Sequence, residues 1–151
     1  MRKSKIFISI LLTLLVIMCV GFIKVKLERD WLQNNIDQTF TTSYHELTLN
    51  LINETVDNIS ETVIHKYKTE NTKHSYNLSH LYQYTSFKKN NNPELNYIIT
   101  VLSQSAGYNA VTKLDMDEEL YHNIKFVPNE RFNNKEILSK AKTALEKALI
   151  K

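Results

Sequence analysis

The chain has 151 residues, 42% of them apolar and 23% charged, with 19 Lys+Arg against 16 Asp+Glu for a formal charge of +3. Arg2, Lys3 and Lys5 carry that whole excess, so the part from Lys24 onward is neutral and lacks the basic bulk of a nucleic-acid binder. The single cysteine excludes an intramolecular disulfide and a thiolate metal site, and the length fits one modest core.

Residues 1–5 form a short basic tail, and Ile6 to Ile23 follow without a charge, interrupted only by Ser9, Thr13 and Gly21. Eighteen residues make a helix of roughly 27 Å, close to the roughly 30 Å of bilayer hydrocarbon. Such a helix also satisfies its own backbone in lipid. As a buried core helix it would need a large protein around it, and the remaining 128 residues are few for that. The expectation is a transmembrane signal-anchor over 6–23 that contacts the lipid bilayer. Cys19-Val20-Gly21 offers small residues for signal cleavage, but the apolar run passes straight through them, which favours an uncleaved anchor. Met18 before Cys19 is too large for a lipidated cysteine. Three cations flank each end of the run, and the terminal amine tips the balance towards a tail inside the cell membrane and a C-terminal domain outside.

Two Gly and two Pro in the whole chain predict a mainly α fold with few tight turns. Over 24–70 the apolar residues Leu32, Ile36, Phe40, Tyr44, Leu47 and Leu51 recur at helical spacing. So do Leu49, Ile52, Val56, Ile59 and Val63, with Asn53, Asp57, Asn58 and Glu61 opposite them. This predicts one juxtamembrane amphipathic helix, weakened at Thr39, Thr41, Thr42 and Ser43. Its heptad-like part is too short for a coiled coil, so a helix of an ordinary bundle is the plainer reading.

Residues 71–151 are expected to complete one small domain on that helix. Glu70 to Lys73 reads as a loop, Ser75 to Lys88 as a helix, and Lys88 to Asn92 as a polar connection. Asn92, Pro93 and Gly107 have the residue types of an N-cap, a first helical turn and a C-terminal stop. Between Tyr108 and Val127 apolar and polar residues alternate, which predicts one short β-hairpin, about 108–127, turning near Asp115 to Glu118. A short helix over Asp117 to His122 competes with it. Asn133 and Glu136 have capping-box spacing before a last helix that pairs Glu136 with Lys140 and is expected to pack along the first.

Chemistry is sparse. None of the five His stands four residues from another with the Glu of a zinc hydrolase, so no metal ligand is expected. A calcium loop from Asp115 would need Gly and Glu where Leu120 and Phe126 stand. There is no Gly-x-Ser-x-Gly elbow and no phosphate-cradling loop, so neither catalysis nor a cofactor is expected. Glycosylation triplets at Asn53, Asn58 and Asn77 match chance for so Asn-rich a chain. The eight Tyr suit an interface or a core rim equally. The expected function is a non-catalytic accessory or regulatory one. A membrane-anchored domain would bind another membrane or envelope protein, or itself, through Leu49, Ile52, Val56, Ile59 and Val63. The alternative is a small-ligand sensing or sequestering domain with Tyr76, Tyr82, Tyr84 and Phe87 around a pocket.

Overall fold

The computed structural model describes residues 2–56, 59–90, 92–125, 132 and 134–150, with side chains from Ile10 on except at 89, 90 and 150. The positions of Asp57, Asn58, Phe126, Val127 and Asn133 singled out above lie outside the described residues. The protein is mainly helical: α1 (Arg2–Asn53), α2 (Glu61–Leu81), α3 (Pro93–Gln104), α4 (Glu118–Ile124) and α5 (Lys135–Ala148), with 3-10 turns at Tyr82–Tyr84 and Ser86–Asn90. Two compact units divide the chain, Met1–Asn35 and Ile36–Lys151.

The first unit is helix alone, the N-terminal part of α1. The second unit has the core. Phe40, Tyr44, Leu47 and Leu51 from α1 are buried with Leu78 of α2, Leu95, Ile98 and Leu102 of α3, Leu120 and Ile124 of α4, and Leu138, Ala141 and Leu145 of α5. Phe40 meets Tyr82, Phe87 and Phe132 at ring-centroid distances of 6.0, 5.7 and 5.6 Å. Tyr44 meets Phe132 edge-on at 5.1 Å and donates its hydroxyl to the Ile124 carbonyl at 2.8 Å. Burial pushes that hydroxyl's pKa well above its ordinary value, so it stays a neutral donor.

The expected single helix over 24–70 is two helices. The threonine-rich stretch does not break α1; the Thr41 hydroxyl donates to the Asp37 carbonyl without interrupting the helix. Burial of Phe40, Ser43 and Tyr44 holds the same stretch in place. Instead α1 ends at Asn53 and α2 begins at Glu61. After Asn53, Thr55 N and Oγ1 both turn to the Ile52 carbonyl and Val56 N to that of Asn53, tightening the last turn until α2 starts after Ser60. The loop expected at Glu70 to Lys73 is mid-helix, and α2 runs through it to Leu81. The helix expected to Lys88 gives way there to the two 3-10 turns.

The expected start of α3 is formed: Asn92 Oδ1 accepts from Glu94 N and Leu95 N. Beyond its end Gly107 has φ of 77°. A side chain there would collide with the Thr72 hydroxyl and come within 2.9 Å of the Thr72 backbone nitrogen. Gly107→Ala is therefore expected to cost about 2 kcal/mol, from left-handed backbone strain and the displaced α2 contact. Urea unfolding of the two chains in the same detergent checks it, and an unchanged midpoint would contradict the account.

Among the described residues the hairpin expected about 108–127 is not formed. The two-residue strand β1 (Lys113–Leu114) pairs antiparallel with β2 (Leu149–Ile150) at the end of α5, and Asp115 N donates to the Ala148 carbonyl. The competing short helix is α4, for a local reason. Asp117 Oδ1 caps Leu120 N at 2.7 Å, Glu118 and Glu119 sit at the positive end of the helix, and Leu120 and Ile124 bury one face four residues apart. The cap of α5 is Asn134, one residue after the expected one, accepting from Glu136 N and Ile137 N. The Glu136–Lys140 pair forms at 2.8 Å, and α5 packs chiefly on α3 and α4.

Candidate functional site

Three regions are expected to carry function: the apolar run, the stripe from Leu49 to Val63, and the aromatics Tyr76, Tyr82, Tyr84 and Phe87. In the first unit every large apolar side chain from Ile10 to Ile23 is more than half exposed, up to 74% at Phe22. At roughly 1 kcal/mol or more for each half-exposed side chain, leaving eleven of them in water costs more than about 10 kcal/mol. An exposed apolar surface of that extent marks a membrane or protein contact. Among the described residues α1 is the one helix long and apolar enough to cross a membrane. Cys19 lies exposed in this run.

The stripe does not lie on one helix. Leu49 and Ile52 are half-buried near the end of α1, with Ile52 packed on the core. Val56, 58% exposed, and half-buried Ile59 fall in the connection, and Val63, 37% exposed, lies in the first turn of α2. The stripe is thus divided between the rim of the core and the corner joining α1 to α2, and Val56 and Val63 are its solvent-facing members.

Behind that corner lies a polar seam that sequence reading missed. Fully buried Asn71 accepts from Asn50 Nδ2 at 3.0 Å and donates to Glu54 Oε1 at 2.7 Å, and Asn77 Nδ2 donates to Ser43 Oγ at 3.1 Å. The partners run in opposite order along α1 and α2, so these bonds fix how the two helices register. Buried polar pairs of this kind specify alignment more than they add stability.

Two titratable groups border the seam. Burial raises the Glu54 pKa above its ordinary 4.5, against the opposing Asn71 hydrogen bond and Lys68 charge. Burial lowers that of His74 below 6.5, against the opposing charges of Glu46 and Glu70, with Lys73 lowering it further; its buried Nδ1 has no partner among the described residues. The signs are opposite. For Glu54 the folded state holds its proton more tightly, so this group's contribution to stability falls as pH rises from 4.5 to the raised pKa. For His74 the unfolded chain holds the proton more tightly, so stability is lost as pH falls through 6.5 towards the lowered pKa. Glu54→Gln should remove the first dependence while still accepting from Asn71, and His74→Gln the second. Urea midpoints measured across that interval check both, and slopes identical to the parent's would refute them.

The four aromatics expected around a pocket are not gathered. Tyr82 and Phe87 are core residues, while Tyr76, in ring contact with His80 at 4.0 Å, and Tyr84 are 63% and 60% exposed. A separate open groove of about 540 Å³ has Asp115, Asp117 and Glu119 before and on α4, and Lys140, Thr143 and Lys147 on α5. It is polar and mixed in charge, and Asp117 already serves as a cap. Among the described residues no group of three or more His, Cys, Asp or Glu is placed to hold a metal ion. His65 leans on Tyr108, whose hydroxyl donates to the His65 carbonyl.

Compared with family models, with curated proteins and with solved structures, the chain matches none.

Proposed function

We propose that this is a single-pass protein of the cell membrane, anchored through residues 6–23, whose second unit stands outside and binds another membrane or envelope protein without catalysing a reaction. The observation that carries the reading is the contrast between the two units. Ile10 to Ile23 expose apolar side chains on every side of the helix, while the second unit buries its own core from Phe40 to Leu145. A helix apolar all round wants a solvent other than water, and a domain with its own core can be held by it. Covalent continuity with a membrane-embedded helix raises the local concentration of that domain for partners on the same surface. Arg2, Lys3 and Lys5 are the cations on which the inside placement of the tail rests.

Val56 and Val63, with Ile59 between them, are the residues proposed to meet the partner. Photo-crosslinkers placed in the cell at Val56 and Val63 are expected to give one discrete adduct, and a crosslinker at exposed Thr100 of α3 none. Val56→Asp should shift stability by no more than about 0.5 kcal/mol, because the side chain is solvent-facing, yet abolish the adduct from Val63. Equal adducts from all three positions, or no dependence on Val56→Asp, would sink the proposal. A reporter fused after Lys151 tests the side of the membrane.

A further inference from the structure

Charge alone ends the apolar run at Ile23, yet α1 continues with Val25 and Leu27, 65% and 64% exposed, set between and beyond Lys24 and Lys26. One turn after Leu27, on the same face, stands Trp31, 66% exposed and the only tryptophan of the chain. Residues 6–23 give roughly 27 Å, short of the roughly 30 Å of hydrocarbon, whereas 6–27 give roughly 33 Å, which fits at the ordinary tilt of about 20°. The two lysines do not oppose this, because a lysine near a helix end lays its methylenes along the apolar surface and lifts its ammonium into the headgroups. Lys24 shows that direction: its Nζ lies 3.9 Å from Glu28 Oε1, one turn further along the helix. Charges then begin immediately after Leu27, with Glu28, Arg29 and Asp30, and Arg29 pairs with Asp30 at 3.3 Å.

Trp31 lies roughly 6 Å along the helix beyond Leu27, and the polar layer on each side of the hydrocarbon is about 5–7 Å thick. Indole, apolar with one N–H donor, partitions into that layer. We propose that the embedded segment runs from Ile6 to Leu27 and that Trp31 seats in the glycerol and headgroup layer of the bilayer, setting the depth and rotation of the anchor. The inference rests on the membrane reading above and assigns the Leu27–Trp31 face to lipid, not to a protein partner.

The sole tryptophan makes the full chain its own probe. In phosphatidylcholine vesicles, co-flotation on a density gradient reports anchoring and Trp31 emission reports depth. The expected result is a floating chain with emission blue-shifted from that of the denatured chain. Lipids brominated near the glycerol end of the acyl chain should quench it more than lipids brominated at the chain terminus. Moving the indole one turn back, with Leu27→Trp in a Trp31→Phe chain, should shift the stronger quenching to the deeper bromine. A floating chain whose Trp31 emits as in water and is quenched by neither lipid overturns the inference and leaves the span standing. Stronger quenching of Trp31 by the deeper bromine overturns it too. A chain that does not float overturns both.

Discussion

Arginine at both Leu14 and Ile17 is expected to move the chain from the membrane pellet to the soluble fraction. Both positions lie near the middle of 6–23. An arginine at a helix centre costs about 2.5–3.5 kcal/mol, and a Leu, Ile, Val or Phe returns about 0.3–0.6. The run holds thirteen of those four residue types, worth together about 6 kcal/mol on that scale. One arginine therefore leaves insertion favourable, and two cancel it. Leu14→Ala with Ile17→Ala removes bulk without charge and should remain in the pellet after carbonate extraction. Val25→Arg, beside Lys24 and Lys26 at the end of the apolar stretch, should remain there as well, since its head reaches the polar layer. A double-arginine chain that still resists carbonate would show that the helix is held by something other than lipid.

What sequence reading recovered, and what it missed, separates by the distance over which the cause acts. The apolar run is a property of eighteen adjacent residues, so the exposed helix was legible. The start of α3 was legible because Asn92 and Pro93 settle it within a few positions, whereas the helix ends at Gln104 with Ser105 as its cap, and Gly107 makes its left-handed turn two residues beyond. The hairpin was misread because alternation in Leu120 to Val127 matches a strand and a short helix equally. What decides between them is the Asp117 cap and the pairing of Lys113 and Leu114 with Ile150 and Leu149, far along the chain. The break between α1 and α2 was misplaced for a related reason. The rhythm of Ile52, Val56, Ile59 and Val63 runs unbroken through a turn, because a periodic pattern records spacing and not the direction of the chain.

The polar seam was the least legible feature. Glu70, Asn71, Thr72 and Lys73 look like a loop because polar residues usually face water. Asn71 is buried only because Asn50 and Glu54, some twenty residues earlier, present the donor and the acceptor it needs. Nothing within the local window points to that partnership. The proposed partner surface has the same difficulty: apolar spacing named five residues alike, and only the end of α1 at Asn53 separates solvent-facing Val56 and Val63 from half-buried Ile52.

Phe40→Ala is expected to be the most damaging single change in the second unit. Phe40 is fully buried, and its ring meets three others that come from three different segments: Tyr82, Phe87 and Phe132. Tyr82 and Phe87 sit on the two 3-10 turns, whose short ladders give them little stability of their own. Phe87 and Phe132 also touch, at 4.9 Å, so the cluster cannot close over a missing ring without moving at least two backbones. Removing a buried phenylalanine costs about 3–5 kcal/mol, against a total stability of about 5–15 kcal/mol. Near-UV dichroism of the full chain in detergent, followed through a urea titration, should show the transition displaced by a loss of that size or gone altogether. Phe40→Leu, which keeps most of the volume, should lose about 1–2 kcal/mol. Tyr84→Ala, at a 60% exposed position, should move the midpoint by no more than about 0.5 kcal/mol. If Phe40→Ala unfolds at the parent's urea concentration, this ring is not the one that ties the 3-10 turns and Phe132 to α1.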